Sequence, residues 1–310
     1  MNNIMLSDKN VTIVLATYNG QKYIKEQLDS LVRQTYPVHE IIVADDKSTD
    51  NTMDIIKEYV QNYSNINWIV YQNEINIGWR SNFIKAIKKS EGDLIFLSDQ
   101  DDIWENDKIA KMVDAFNLTQ DAEVIACNLQ PIYETGGTKI NNITIKKYGR
   151  AKIQKVDNVK YYCNMLRPGC CMGFKKELIP IINETWEEEM AHDALIYDIG
   201  AFREGLYIYN ERLIYQRRHA LNNSPHSPHD KNNRLKLINE RRRRLQNIFA
   251  AEHSDLTSHE KQQLEKCIQY YDFRANLIKN KKLKDCLNGI VKYRKYYPKL
   301  TSYIADFLCR

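Results

Sequence analysis

The chain is expected to form an α/β protein: an open, mainly parallel sheet covered by helices, followed by a basic helical extension. Short apolar, β-rich runs alternate with amphipathic segments between residues 11 and 97, which is the pattern of parallel strands joined by crossover helices. Polar or acidic residues follow the first, second and fourth runs, and the charge changes sign near residue 230. The 310 residues suffice for about two domains at roughly 150 residues each.

The run Val11 to Ala16 and the run Glu40 to Ala44 have the length and composition of strands buried on both faces. Between them Tyr23, Leu28 and Leu31 fall near helical spacing, and the segment stops before Pro37, so the three pieces read as a β-α-β unit. The alternation continues with a helix over 51–63, a strand at Asn67 to Tyr71, a helix from Asn82 to Lys89 and a strand from Asp93 to Leu97. Residues 120–220 are more mixed, with a strand at Ala122 to Leu129 and a turn at Arg167 to Cys171. The breaker-rich stretch 222–229 reads as a linker. Downstream, Leu264, Ile268, Tyr271, Ala275 and Ile278 lie on one helical stripe, which suits packing on the body or the seam of a homodimer. The division expected is therefore a body, 1–222, in two parts, 10–118 and 119–222, and a basic helical extension, 223–310.

Composition excludes several classes. Apolar residues are 43% and charged residues 27%, which argues against disorder, and no apolar run reaches the roughly 18 residues of a membrane span. The first ten residues lack the pattern of a secretory signal, and seven cysteines without a C-x-x-C pair fit a reducing compartment, so a cytosolic chain is expected. Neither G-x-G-x-x-G nor a P-loop occurs, which removes dehydrogenase and kinase readings. Residues 231–310 carry 19 Lys/Arg against 8 Asp/Glu, leaving 26 against 32 for the rest.

In an open α/β sheet, ligands bind beyond the carboxyl ends of the strands. Thr17-Tyr18-Asn19, Asp45-Asp46 with Asp50, and Asp99-Gln100-Asp101-Asp102 all follow apolar runs, so two acidic clusters are expected on one rim. Crowded carboxylates need a cation or ligand donors to stay ionised, and Asp-x-Asp suits Mg2+ or Mn2+ with a phosphate ligand. The simpler reading makes them turn and capping aspartates.

Residues 10–220 resemble family 2 glycosyltransferases of the GT-A fold, through the string from Val11 to Thr52, then NIGWRSNF, then GDLIFLSDQDDIW. The last is most similar to bacterial rhamnosyltransferases of surface polysaccharide synthesis. The resemblance implies an inverting transfer of a sugar, L-rhamnose from dTDP-L-rhamnose or a UDP-hexose, onto a glycan or lipid-linked glycan. It implies that Ala16, Thr17, Tyr18, Asn19 and Asp46 hold the nucleotide, and that Asn76, Gly78, Arg80 and Asn82 close over the donor. Asp99 would face the ribose, Gln100 would join the donor-binding set, and Asp101 would face the metal. His192-Asp193 and the segment from Tyr215 through His219 to Asn223 resemble acceptor-side motifs. They make Asp193 the general base, place His219 at the metal, and leave Arg217 and Arg218 near the metal or diphosphate. The acceptor side is expected to include His192, Asp102, Trp104, Gly169 and Cys170.

Ala194 stands where the family often has an aromatic residue, which widens the expected acceptor pocket, and Lys47 stands where glycine is common. A rival reading takes Gly169 to Gly173 as a nucleophile elbow and Cys171-Asp193-His219 as a cysteine hydrolase, although the apolar strand such an elbow needs is missing. Another takes Arg241 to Arg244, the lysines of 279–284 and Tyr293, Tyr296 and Tyr297 as a membrane-surface patch, with nucleic acid disfavoured by the acidic body.

Overall fold

β1 (Val11–Thr17) and β2 (Glu40–Asp45) are buried almost throughout, as expected of strands covered on two faces. The computed structural model describes residues 9–137, 139, 146–220, 222, 230–252 and 255–308. β1 pairs in parallel with β2 on one side and with β4 (Leu94–Asp99) on the other, and β3 (Asn67–Gln72) extends the parallel set beyond β2. Helices α1 (Ile24–Val32), α2 (Thr52–Asn62) and α3 (Gly78–Ile87) make the crossovers, and α3 packs against β1 and β2. α3 begins four residues before the expected start at Asn82, because Gly78 adopts φ +81 and turns the chain into the helix.

Residues 119–222 depart further from the expected pattern. β5 (Ile103–Trp104), α4 (Lys108–Leu118) and β6 (Val124–Tyr133) are followed by β7 (Ile153–Lys155) and α5 (Val159–Tyr162). Then come β8 (Met172–Lys175), α6 (Ile179–Thr185), α7 (His192–Phe202) and the 13-residue strand β9 (Leu206–Arg218). β8 inserts antiparallel between β4 and β6, giving the order β3-β2-β1-β4-β8-β6-β9-β5 with β7 beside β9. β9 interleaves aromatic and charged residues, so no apolar run announced it.

Most of the linker stretch and Asn223 lie outside the described residues. Beyond it stand α8 (Lys231–Ala251), α9 (Ser258–Asn280), α10 (Leu283–Tyr293) and α11 (Leu300–Leu308). Thr257 and Glu260 cap α9 reciprocally, each side chain accepting from the other's backbone N–H. The stripe of Leu264, Tyr271, Ala275 and Ile278 is buried in a core continuous with the sheet, so it offers no seam to a second copy.

The basic patch is also not as expected. Arg242 pairs with Asp272, Arg243 with Glu187, and Arg244 with Asp198 on α7 at 2.6 Å. Tyr293, Tyr296 and Tyr297 are buried around Tyr270 rather than exposed at an interface. Asp306, fully buried, accepts from Arg234 at 2.6 Å, Arg274 at 2.7 Å and Tyr297 at 2.7 Å. Burial opposes its ionisation, yet Arg274 and Arg234 hold its pKa below the ordinary range. Among the described residues no helix is long and apolar enough to cross a membrane.

Breaking one member of a buried ion cluster leaves uncompensated charge and costs about 3–5 kcal/mol. Asp306→Asn is therefore expected to lower stability by that order, read as a urea midpoint shift, and an unchanged midpoint would refute a structural role for the cluster.

Candidate active site

Strand register decides which side chains meet. Ala16 lies opposite Ala44 and Asp99, and Thr17 lies opposite Asp45, so three strands end on one edge. Gln100 locks two of these ends together: its amide oxygen accepts from Tyr18 N at 2.8 Å, and its NH2 donates to Tyr18 O at 3.0 Å. Asn19, at φ 47, is held by Ser48 Oγ and by its own bond from Thr49 N, each 2.8 Å. Tyr18 itself is exposed, an aromatic surface at the rim.

The acidic residues after β2 prove to be anchors. Asp45 accepts from Thr17 and Gln72 at 2.8 Å and from Ser48, while Asp50 accepts from Gln21 and Thr52. Asp46 is buried and accepts from Asn73 at 2.9 Å and from the backbone N–H groups of Ile77 and Gly78 at 2.8 Å. It thereby ties down the start of α3 and is not presented to the rim. Asn82, expected over the donor, is buried too, donating to Ala44 O at 2.7 Å and accepting from Asn73. The turn-forming reading thus describes the first cluster. Lys47 sits at φ 67, which explains why glycine suits that position.

The second cluster is different. Asp99, Asp102 and the Cys170 thiol converge with ligand atoms within 4.8 Å of one another. Asp102 accepts from Arg217 N at 3.2 Å, but its buried Oδ2 has no hydrogen-bond partner. Burial, reinforced by the charges of Asp101 and Asp193, pushes Asp99 up to about 7. Burial, with Asp101 and Asp99, also raises Asp102 well above the carboxylate range. Asp101 Oδ2 meets His219 Nε2 at 2.8 Å and Asn222 Nδ2 at 3.0 Å. Asp101 and His219 are thus brought together as expected, with His219 stacked on Tyr23 at 4.9 Å. Two hard carboxylates, one orphaned oxygen and mutual repulsion are the donor set that a divalent cation fits.

Asp102, Cys170 and Trp104, expected on the acceptor side, are instead buried, the first two as members of this cluster. The Trp104 ring faces Lys108, whose Nζ lies 3.0 Å from its centroid. Lys108 also donates to Cys170 O at 3.2 Å, and burial lowers its pKa to about 8. Sequence reading missed this lysine, although it lies four residues before Met112 on the apolar face of α4. It also missed Glu134 and Tyr23. Arg217 is held by Glu26 at 2.9 Å, by Glu134 at 3.1 Å and by the Asp101 carbonyl at 3.1 Å. Hydrogen bonds from Tyr23 and Lys22 hold the Glu134 carboxyl down at about 2.

Asp193 lies in the first turn of α7, where its oxygens accept from Gly169 N at 3.2 Å and Ala194 N at 2.8 Å. A Cβ on Gly169 would come within 2.8 Å of the Asp193 Cβ, so the bare glycine permits this approach. His192 does not line the acceptor side. It is buried, stacked on Phe83 at 4.1 Å and edge-on to Trp79 at 5.5 Å, and so joins α7 to α3. On α3 the Arg80 guanidinium lies over Trp79 at 4.3 Å, with its buried Nε lacking a hydrogen-bond partner, while Asn76 accepts from Gly78 N at 3.1 Å. The hydrolase reading fails on geometry: Cys171 is fully buried, burial raises its thiol well above the ordinary value, and His219 is bonded to Asp101.

The α/β architecture that carries this edge is shared with solved GT-A structures. The GT-A structure of S. aureus TarS in complex with UDP-GlcNAc superposes with a TM-score of 0.65 at 18% identity, over 96% of this chain and 81% of that one. A mannosyltransferase of Pyrobaculum calidifontis, solved with GDP-Man and Mn2+, gives a TM-score of 0.51 at 16% identity, over 97% and 86%. The Glycosyl transferase family 2 profile matches residues 12–180. The dTDP-rhamnosyl transferase RfbG of Shigella flexneri is 31% identical over 220 residues, 67% of this chain and 72% of that one. The chain belongs to glycosyl transferase family 2 and is a glycosyltransferase.

Burial lowers the pKa of His192 from its ordinary 6.5 to about 4. Between those values the unfolded chain binds a proton that the folded chain refuses, so this contribution is full above pH 6.5 and shrinks on acidification. A loss of about 3 kcal/mol by pH 4 is expected from His192. His192→Phe should lack that share when urea midpoints are compared at pH 7 and 4.5, and equal acid losses in the two proteins would remove His192 as the cause.

Proposed function

We propose that the protein transfers L-rhamnose from dTDP-L-rhamnose, with inversion, onto a glycan hydroxyl during surface polysaccharide synthesis. The observation that carries the transferase chemistry is the crowding of Asp99 and Asp102, next to Asp101 and near Asp193, at the carboxyl ends of the strands. The similarity to the Shigella dTDP-rhamnosyl transferase and the string from Ser98 to Trp104 support the donor. UDP-hexose and UDP-N-acetylhexosamine donors are the competing arm of the test.

In this reading Thr17, Tyr18 and Asn19 flank the nucleotide, with Tyr18 as a surface for the base. Asp99 faces the ribose, and Asn76, Gly78 and Arg80 close over the donor. Asp99, Asp101 and Asp102, with His219 steadying Asp101, would hold Mg2+ or Mn2+. A bound cation supplies positive charge for the diphosphate leaving group. Asp193 takes the acceptor hydroxyl's proton, its carboxylate aimed by Gly169 N and Ala194 N. Arg217 and Lys108 set the field around the carboxylates from β9 and α4.

Peripheral contact with an anionic membrane is the reading we give the C-terminal helices. Leu287 and Val291 on α10 and Ile304 and Leu308 on α11 are exposed, with Lys292, Lys295 and Lys299 between them. Lys/Arg near anionic headgroups contribute about 1 kcal/mol each. This apolar and basic mixture replaces the buried tyrosines as the support for that contact.

Calorimetry with Mn2+ is expected to show tighter binding of dTDP-rhamnose than of UDP-glucose or UDP-N-acetylglucosamine, and the reverse order would overturn the donor. Asp193→Asn should keep nucleotide affinity and lose about 10²–10⁴-fold in transfer, while Asp101→Ala should abolish turnover that chelation also abolishes. An active Asn variant would remove Asp193 from the role of base. Flotation with phosphatidylglycerol vesicles should be lost in Val291→Asp/Leu308→Asp, and equal flotation would remove that face from the contact.

A further inference from the structure

The thiol of Cys170 stands among carboxylates and has no part in the proposed transfer. Asp99, Asp102 and Cys170 offer ligand atoms that all lie within 4.8 Å of one another. Around a tetrahedral ion with bonds of about 2.0–2.3 Å, neighbouring ligand atoms are roughly 3.5 Å apart, so a closure of at most about 1.3 Å seats an ion among them. Asp102 is 1% exposed, its Oδ1 accepts from Arg217 N at 3.2 Å, and its buried Oδ2 has no hydrogen-bond partner. Asp99 is partly exposed and opens the group to the rim.

The surroundings hold the sulfur in place. Cys170 lies in the turn Gly169–Cys171, where Gly169 N donates to Asp193 at 3.2 Å and Lys108 Nζ donates to Cys170 O at 3.2 Å. From β9, Gln216 Nε2 donates to Cys170 Sγ at 3.4 Å. An N–H aimed at sulfur steadies the thiolate that a metal binds, as outer groups commonly do around metal ligands. The charge balance also favours a cation. Lys108 brings one positive charge from α4, and the Arg217 guanidinium is taken by Glu26 and Glu134. Against them stand Asp99 and Asp102, with Asp101 beside them turned to His219 and Asn222.

The donor atoms select the ion. Mg2+ takes oxygen ligands, whereas Zn2+ and Cd2+ accept a thiolate beside carboxylates, with three protein groups bound and a fourth position left for water. We propose that Asp99, Asp102 and Cys170 form a mixed carboxylate and thiolate site for a thiophilic divalent cation, Zn2+ foremost. On coordination the Cys170 thiol gives its proton to solvent and its sulfur lone pair forms the metal bond. Such an ion occupies Asp99 and Asp102, so Zn2+ inhibits the reaction that Mg2+ or Mn2+ supports. That consequence, unlike the site itself, rests on the reading of these carboxylates as the cation site of a transferase.

The test titrates Cd2+, whose bond to a thiolate absorbs in the ultraviolet, into the full chain. Wild type is expected to develop that charge-transfer band to a plateau, and excess Mg2+ should leave it in place. Cys170→Ser should lose the band while keeping the circular dichroism of the folded chain, and Asp102→Asn should keep it with Cd2+ affinity lowered at least about tenfold. No band in wild type, a band that Mg2+ abolishes, or an equal band in Cys170→Ser would overturn the site. Should Cys170→Ser not fold, unchanged Cd2+ affinity in Asp102→Asn overturns it in the same way. In transfer assays with Mn2+, Zn2+ should inhibit wild type at about tenfold lower concentration than Cys170→Ser, and equal inhibition of the two would overturn the inhibitory role. If the chain transfers no sugar from any donor, the transferase reading falls while the Cd2+ band still decides the site.

Discussion

Carboxylate crowding at the edge of a parallel sheet is the constraint on which the rest of the structure depends. Register places Ala16 beside Asp99, and the chain continues directly into Asp101 and Asp102. Backbone and side-chain donors satisfy Asp45, Asp46 and Asp50, but they do not reach Asp102 Oδ2 or relieve Asp99. Without a cation, burial and mutual repulsion favour protonation, as the elevated pKa of Asp99, about 7, shows. A site that carries this cost in its ligand-free state gains most when positive charge arrives.

The surrounding protein limits that cost without removing it. Lys108 is buried below the cluster, and Asp102 is one of the charges that keeps it from losing its proton more readily. Arg217 brings a second cation close, but Glu26 and Glu134 already engage its guanidinium. Its backbone N–H, donating to Asp102, and its guanidinium, donating to the Asp101 carbonyl, therefore fix that loop against β9 rather than quench it. Rigid supports of this kind hold ligand groups in place before the ligand binds, which lowers the reorganisation needed on binding.

Residues 119–222 are joined to the first four strands and their helices through α7. His192 stacks on α3, Asp193 bonds the backbone of the Gly169 turn, and Asp198 is bound by Arg244 from α8. Three residues within two turns of one helix thus touch α3, the Gly169 turn and α8. The basic extension is, for this reason, packed into the body rather than appended as a tail.

The amino-acid sequence by itself determined the β-α-β alternation, the edge at which the strands end in polar residues and the identity of the Asp-rich loop, because these follow from local apolar periodicity and from residues contiguous in the chain. The segment of α3 and the string from Ser98 to Trp104 were legible for the same reason. Tertiary structure alone decided which aspartates are anchors: Asp46 and Asp99 look alike in a sequence, and only the donors from Asn73, Ile77 and Gly78 set them apart. It also decided that His192, Trp104 and Cys170 face inward, that Lys108 lies under the cluster, and that Arg242, Arg243 and Arg244 each pair with a different carboxylate. Burial and long-range pairing between residues distant in the chain are properties of packing, and no local pattern encodes them.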